Sequence, residues 1–100
     1  MSWKKLSSGA QATNAVIFAS PCYYFGFTCK PGGAEITVTL YDNASGATGT
    51  KVEDFVVDST KKMDGHSHAA PVVCSNGLYL ALSGGSAIVY YAPLTIDSKA

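Results

Sequence analysis

Turn-forming residues punctuate this chain roughly every 8 to 12 residues, and no stretch between them sustains a helical apolar period. Lys30-Pro31-Gly32-Gly33, the Gly46 and Gly49 segment, Asn76-Gly77 and Gly84-Gly85 are the strongest breaks. Strands are what fits between them. Residues 35–41 alternate most cleanly, with Ile36, Val38 and Leu40 on one face and Glu35, Thr37, Thr39 and Tyr41 on the other. Residues 51–57 return with Phe55 and Val57 on one face and Asp54 on the opposite one. Residues 11–19 alternate loosely up to the break at Pro21. Residues 22–29 would set Tyr23, Phe25 and Phe27 on one side, and residues 69–74 form a short strand broken early by Pro71. Residues 58–68 read as a polar, loop-like stretch. The pattern predicts an all-β chain: a single antiparallel β-sandwich of about six to eight short strands, jelly-roll or immunoglobulin-like. Residues 1–100 form one domain, with the termini, 1–8 and 95–100, free to act as arms.

The stretch "NGLYLALSGGSAIVYYA", residues 76–92, reads as a hairpin closed by Gly84-Gly85. Such a turn would set Leu82 opposite Ala87, Leu80 opposite Val89 and Leu78 opposite Tyr91, and opposed residues share a face. That face is expected in the core, with Ile36, Val38, Leu40 and Phe55. The other face would carry Tyr79, Ala81, Ser83, Ser86, Ile88 and Tyr90, without a charge. This is the composition of an interface centre rather than of a wet surface. Either the N-terminal segment with Trp3 and Leu6 covers it, or a subunit or partner does, or it is an ordinary exposed patch. Tyr79, Ile88, Tyr90 and Trp3 are therefore the candidate interface residues.

Charge narrows the function. Seven lysines balance seven carboxylates and there is no arginine, so the chain carries no net charge. Such a chain is a poor match for nucleic acid, which demands clustered positive charge. No apolar run approaches the roughly 20 residues that span a bilayer, and residues 1–5 lack the apolar stretch of a signal peptide. Neither a nucleic-acid nor a membrane partner is expected, and synthesis is expected in the cytoplasm. Cys22, Cys29 and Cys74 read as free, buried thiols. Cys22 and Cys29 are seven residues apart in one strand, on opposite faces and too distant for a disulfide.

Reaction chemistry finds little support. No serine stands on a strand-to-helix elbow, and no glycine pair precedes a helix where it would cradle phosphate. Glu53 and Asp54 are adjacent, so in a strand they face apart and do not pair as catalytic carboxylates. His66-Ser67-His68 is the one pair resembling metal ligands. In extended chain the two imidazoles project to the same side, with Asp64 close in sequence. Two ligands make a weak site that a symmetric oligomer would be needed to multiply, and the expected reading is a solvated loop. The expectation is no catalytic residue, no cofactor and no metal, with His66 and His68 as the weak candidates.

The stretches "ITVTLYDNASGATGTKV" and "NGLYLALSGGSAIVYYA" together resemble the small β-sandwich proteins encoded among the structural genes of tailed bacteriophages. The likeness spans residues 11–92 and rests on pattern, since none of its residues performs chemistry. It implies a virion accessory role, such as capsid decoration or cement, or a head–tail or tail component. The expected function is then a non-enzymatic structural protein of the virion. Its partners would be other copies of itself, for instance in a trimer, or the major capsid protein or other virion proteins. The alternative is a carbohydrate- or ligand-binding module, such as a tail or receptor-binding accessory, stacking its ligand on Tyr23–Tyr24 and Tyr90–Tyr91.

Overall fold

The computed structural model describes residues 5–94, and Trp3 and the segment 95–100 lie outside them. Every regular element within that range is a strand apart from a single helical-turn residue at Leu94. The strands are β1 (Leu6–Ser7), β2 (Ala15–Phe18), β3 (Cys22–Lys30), β4 (Ile36–Asp42), β5 (Thr50–Val57), β6 (Asp64–Cys74), β7 (Leu78–Leu82) and β8 (Ser86–Pro93). They form two four-stranded antiparallel sheets, ordered β1-β8-β3-β6 and β2-β7-β4-β5. The chain is an all-β sandwich, and its strand order is that of a jelly roll.

That order has a simple origin. β4 pairs with β5, β3 with β6, β2 with β7 and β1 with β8. The pairs are nested, as in one long hairpin whose tip is the β4–β5 loop. Rolling it up adds the β3–β8 and β4–β7 pairings that complete the two sheets. Asn43 shapes the tip: its Oδ1 accepts the amides of Ser45 and Gly46 at 2.8 and 2.9 Å, and its Nδ2 donates to the Thr48 carbonyl. Asp42 fixes the β6–β7 corner to the end of β4 by accepting the amides of Ser75 and Asn76.

The alternating residues fill the space between the sheets. Ile36, Val38, Leu40, Leu78, Leu80, Leu82 and Val89 are buried, as expected. Phe55 is partly buried and meets Phe27 edge to face at a centroid distance of 5.2 Å. Of the expected N-terminal arm, 1–8, the described residues 6–8 join the sheet: Leu6 pairs with Tyr91, and the Ser8 amide donates to the Val89 carbonyl.

Three expectations are corrected. Residues 78–82 and 86–93 do not form a hairpin. β7 pairs with β2 and β4, and β8 with β1 and β3, so Gly84-Gly85 carries the chain from one sheet to the other. A short glycine connection serves either purpose, and the sequence gives the same signal for both. The leucines of β7 and Ala87 and Val89 of β8 therefore line the core from opposite sheets.

The second correction concerns β3. Its register shifts between Tyr24 and Gly26, and this bulge inverts the alternation. Cys22, Tyr24, Phe27 and Cys29 all lie in the core, while Tyr23 and Phe25 face out. Cys22 and Cys29 thus share a face, and Cys74 stands directly across from Cys22. All three thiols are free and buried.

Third, the strand expected at 69–74 begins earlier, at Asp64. His66 and His68 therefore lie on a strand, not in a loop. Pairing with β3 lapses between Ser67 and Val72, where β6 bulges around Pro71.

Candidate functional site

β5 and β6 each form one edge of their sheet, on the same side of the sandwich, and are joined by the connection 58–63. Glu53 has the same parity in β5 as Phe55 and Val57, so its side chain turns in toward the other sheet. His66 lies opposite the buried Phe27 and turns in from β6, with His68 two residues on. The three side chains meet where the sandwich edge closes. His66 Nδ1 lies 2.9 Å from Glu53 Oε2, and His68 Nε2 lies 2.9 Å from Glu53 Oε1. The imidazole centroids are 4.5 Å apart. An ionised carboxylate only accepts, so the facing nitrogen of each imidazole carries the proton.

A fourth group reaches the cluster from the core. Tyr24 is fully buried, and its hydroxyl donates to Glu53 Oε1 at 3.1 Å, while its ring lies 5.4 Å from that of His68. Burial, followed by the adjacent Glu53 charge, drives the Tyr24 hydroxyl far above its ordinary pKa. For Glu53, burial acts to raise the pKa. The hydrogen bonds from His66, His68 and Tyr24 together outweigh it, and the carboxyl is held below its ordinary value. The cluster opens to solvent on one side: the His66 side chain is 48% exposed, against 21% for His68 and 10% for Glu53.

Close backbone approach makes this arrangement possible. Gly26 has φ +137°, and a Cβ there would run into the His66 carbonyl oxygen and the Ser67 Cα. Across the ladder, a Cβ on Gly65 would strike the Phe27 carbonyl oxygen. Two glycines thus let β3 and β6 approach closely at the histidine pair.

The expected site residues fare differently. His66 and His68 do project together, and their third partner is Glu53 rather than Asp64, whose carboxylate accepts the Gly65 amide. Glu53 and Asp54 do face apart, Asp54 being engaged by Thr39 and Lys51. Glu53 was legible by parity alone, since it falls on the face of Phe55 and Val57. Its meeting with β6 was not, because that depends on which strands form the sheet edges.

Tyr79, Ile88 and Tyr90 do not share one face. Tyr79 points outward from the β2-β7-β4-β5 sheet, Ile88 and Tyr90 outward from the other sheet. The tyrosine doublets also divide. Tyr23 and Tyr90 face out, whereas Tyr24 is in the core and Tyr91 packs against it and Phe18. Neither doublet is a two-ring stacking platform. The outer face of β8 and β3 holds Phe25, Ile88 and Tyr90, with the Lys5 ammonium 5.5 Å from the Phe25 ring centroid and 5.9 Å from that of Tyr90. No described helix is long and apolar enough to cross a membrane. No protein-family model matches the chain, and no curated protein and no solved structure matches it.

Proposed function

We propose that this chain is a non-enzymatic assembly protein that docks through the outer face of its β1-β8-β3-β6 sheet. The supporting observation is the composition of that face. β3 contributes Tyr23 and Phe25, β8 contributes Ile88 and Tyr90, and β6 adds Val73, which is 54% exposed. Among the described residues no carboxylate points out from these paired positions, and Lys5 lies across the rings. Aromatic and branched apolar residues without an acid among them are the composition of an interface centre; the lysine is not part of that signal. A standard interface removes about 800 Å² per partner. A chain without net charge also packs against its own copies without mutual repulsion. The sequence resemblance to tailed-phage structural proteins supports a virion setting, and decoration or cementing of the capsid is the role we propose there.

Sedimentation analysis of the purified chain tests this. The wild type should self-associate or sediment with phage particles. The double change Ile88→Lys, Tyr90→Lys should abolish both, because it places unpaired charge in the contact. Tyr79→Lys, on the opposite face, should leave both intact. A wild type that stays monomeric and binds no particle would remove the proposal, and sensitivity only to Tyr79→Lys would move the interface to the other sheet.

A further inference from the structure

We infer that Glu53, His66 and His68 form a binding site for a divalent first-row transition metal of the zinc class, held between the two sheet edges. This stands apart from the assembly reading and uses other residues. The donor atoms His66 Nδ1, His68 Nε2 and a Glu53 carboxylate oxygen all lie within 4.8 Å of one another. Metal–nitrogen and metal–oxygen bonds of about 2.0 to 2.2 Å in tetrahedral geometry set neighbouring donors about 3.4 Å apart. His66 meets one carboxylate oxygen and His68 the other, each at 2.9 Å, so a metal on either oxygen spreads that pair by about half an ångström and draws in the second imidazole, whose donor lies within 4.8 Å.

The surroundings match what such a site needs. Tyr24 reaches from the core to hold the carboxylate, as an outer group steadies a ligand. His66 is half exposed and gives the ion a way in. Three protein donors leave a coordination position on the solvent side. To ligate, each ring presents the lone pair of the nitrogen that faces the carboxylate and carries a proton on its other nitrogen only. Two imidazoles and one carboxylate favour zinc and its neighbours over calcium or magnesium, which ask for more oxygen donors.

Calorimetric titration of untagged, chelator-stripped protein with zinc chloride is the test, with cobalt(II) absorption as a second readout. One zinc per chain, a raised melting temperature and a tetrahedral cobalt spectrum are expected. Glu53→Gln and His66→Asn should each weaken zinc binding at least tenfold, and Asp54→Asn, on the opposite face of β5, should leave it unchanged. His66→Asn decides the matter if Glu53→Gln does not fold, because that side chain is half exposed. Absence of stoichiometric zinc binding by the wild type, or wild-type affinity in folded His66→Asn, would overturn the site. A cobalt spectrum of octahedral type would overturn its tetrahedral geometry.

Discussion

The pairing of β3 with β6 closes the same side of the sandwich by two different chemistries. Beyond the bulge toward the start of β3, Cys22 faces Cys74 and Tyr24 faces Val72, and the contact is dry. On the other side, Phe27 faces His66, and the space between the sheets is spanned by Glu53, His66 and His68. Small polarizable thiols seal a narrow gap at no polar cost. Charged and polar groups close a gap only when each finds a partner, and here each does. The bulge lies between Tyr24 and Gly26, so one edge strand serves as an apolar seal along one half and as a hydrogen-bonded polar closure along the other.

The sharpest way to break this comparison is at the bulge. Gly26→Ala should destabilise the fold by about 3 kcal/mol or more, because a side chain at φ +137° is strained and also meets β6 backbone. Chemical denaturation measures it. A loss below about 1 kcal/mol would mean that β6 can re-register freely, and the two halves would then not depend on one hinge.

The dry half comes next. Cys74→Ser places a hydroxyl at a fully buried position and should cost about 1 to 3 kcal/mol. The native thiols should also resist a thiol reagent until denaturant is added. Hydrogen bonding with Cys22 and then burial push the Cys74 thiol far up, and burial raises Cys29; the same bond lowers Cys22, which its complete burial alone shields from the reagent. Rapid labelling of all three in the folded protein would show that this half is not sealed.

At the junction of the two halves, Tyr24→Phe keeps the ring and removes the hydroxyl, and should cost about 1 kcal/mol. The pH dependence follows from the same group. Tyr24 holds its proton more tightly folded than unfolded, so its contribution is complete below the ordinary tyrosine pKa and is lost as pH rises beyond it. Ultraviolet titration should find Tyr24 ionising only with unfolding, a step that Tyr24→Phe removes. Smallest of all, Lys51→Ala removes an exposed pair with Asp54 on the outside of β5, at 3.3 Å, and should change stability by less than about 0.5 kcal/mol.

The sequence makes the all-β class legible because its alternation survives in most strands, above all in β4. It misleads where one residue changes the parity. A single bulge in β3 turns Phe27 inward and unites Cys22 with Cys29 on the core side, and nothing local beyond Gly26 announces it. The sheet-crossing glycines at 84 and 85 look like a hairpin turn because both structures need the same freedom. His66 and His68 were readable as a pair by their spacing. Glu53 was not readable as their partner, since its place there is fixed by the rolling of the whole chain and not by its neighbours in sequence.

The nested pairing also sets an order in time. Only β4 and β5 are joined by a short loop within one sheet, so they can associate before the rest of the chain has found its place. Each further pair closes a longer stretch, up to Leu6 with Tyr91, and the entropy of closure grows accordingly. A chain wired in this way folds slowly, from the Asn43 tip outward. The two-residue strand β1 is the last to arrive and the first to fray, so amide exchange should begin along its border with β8 well before the core opens.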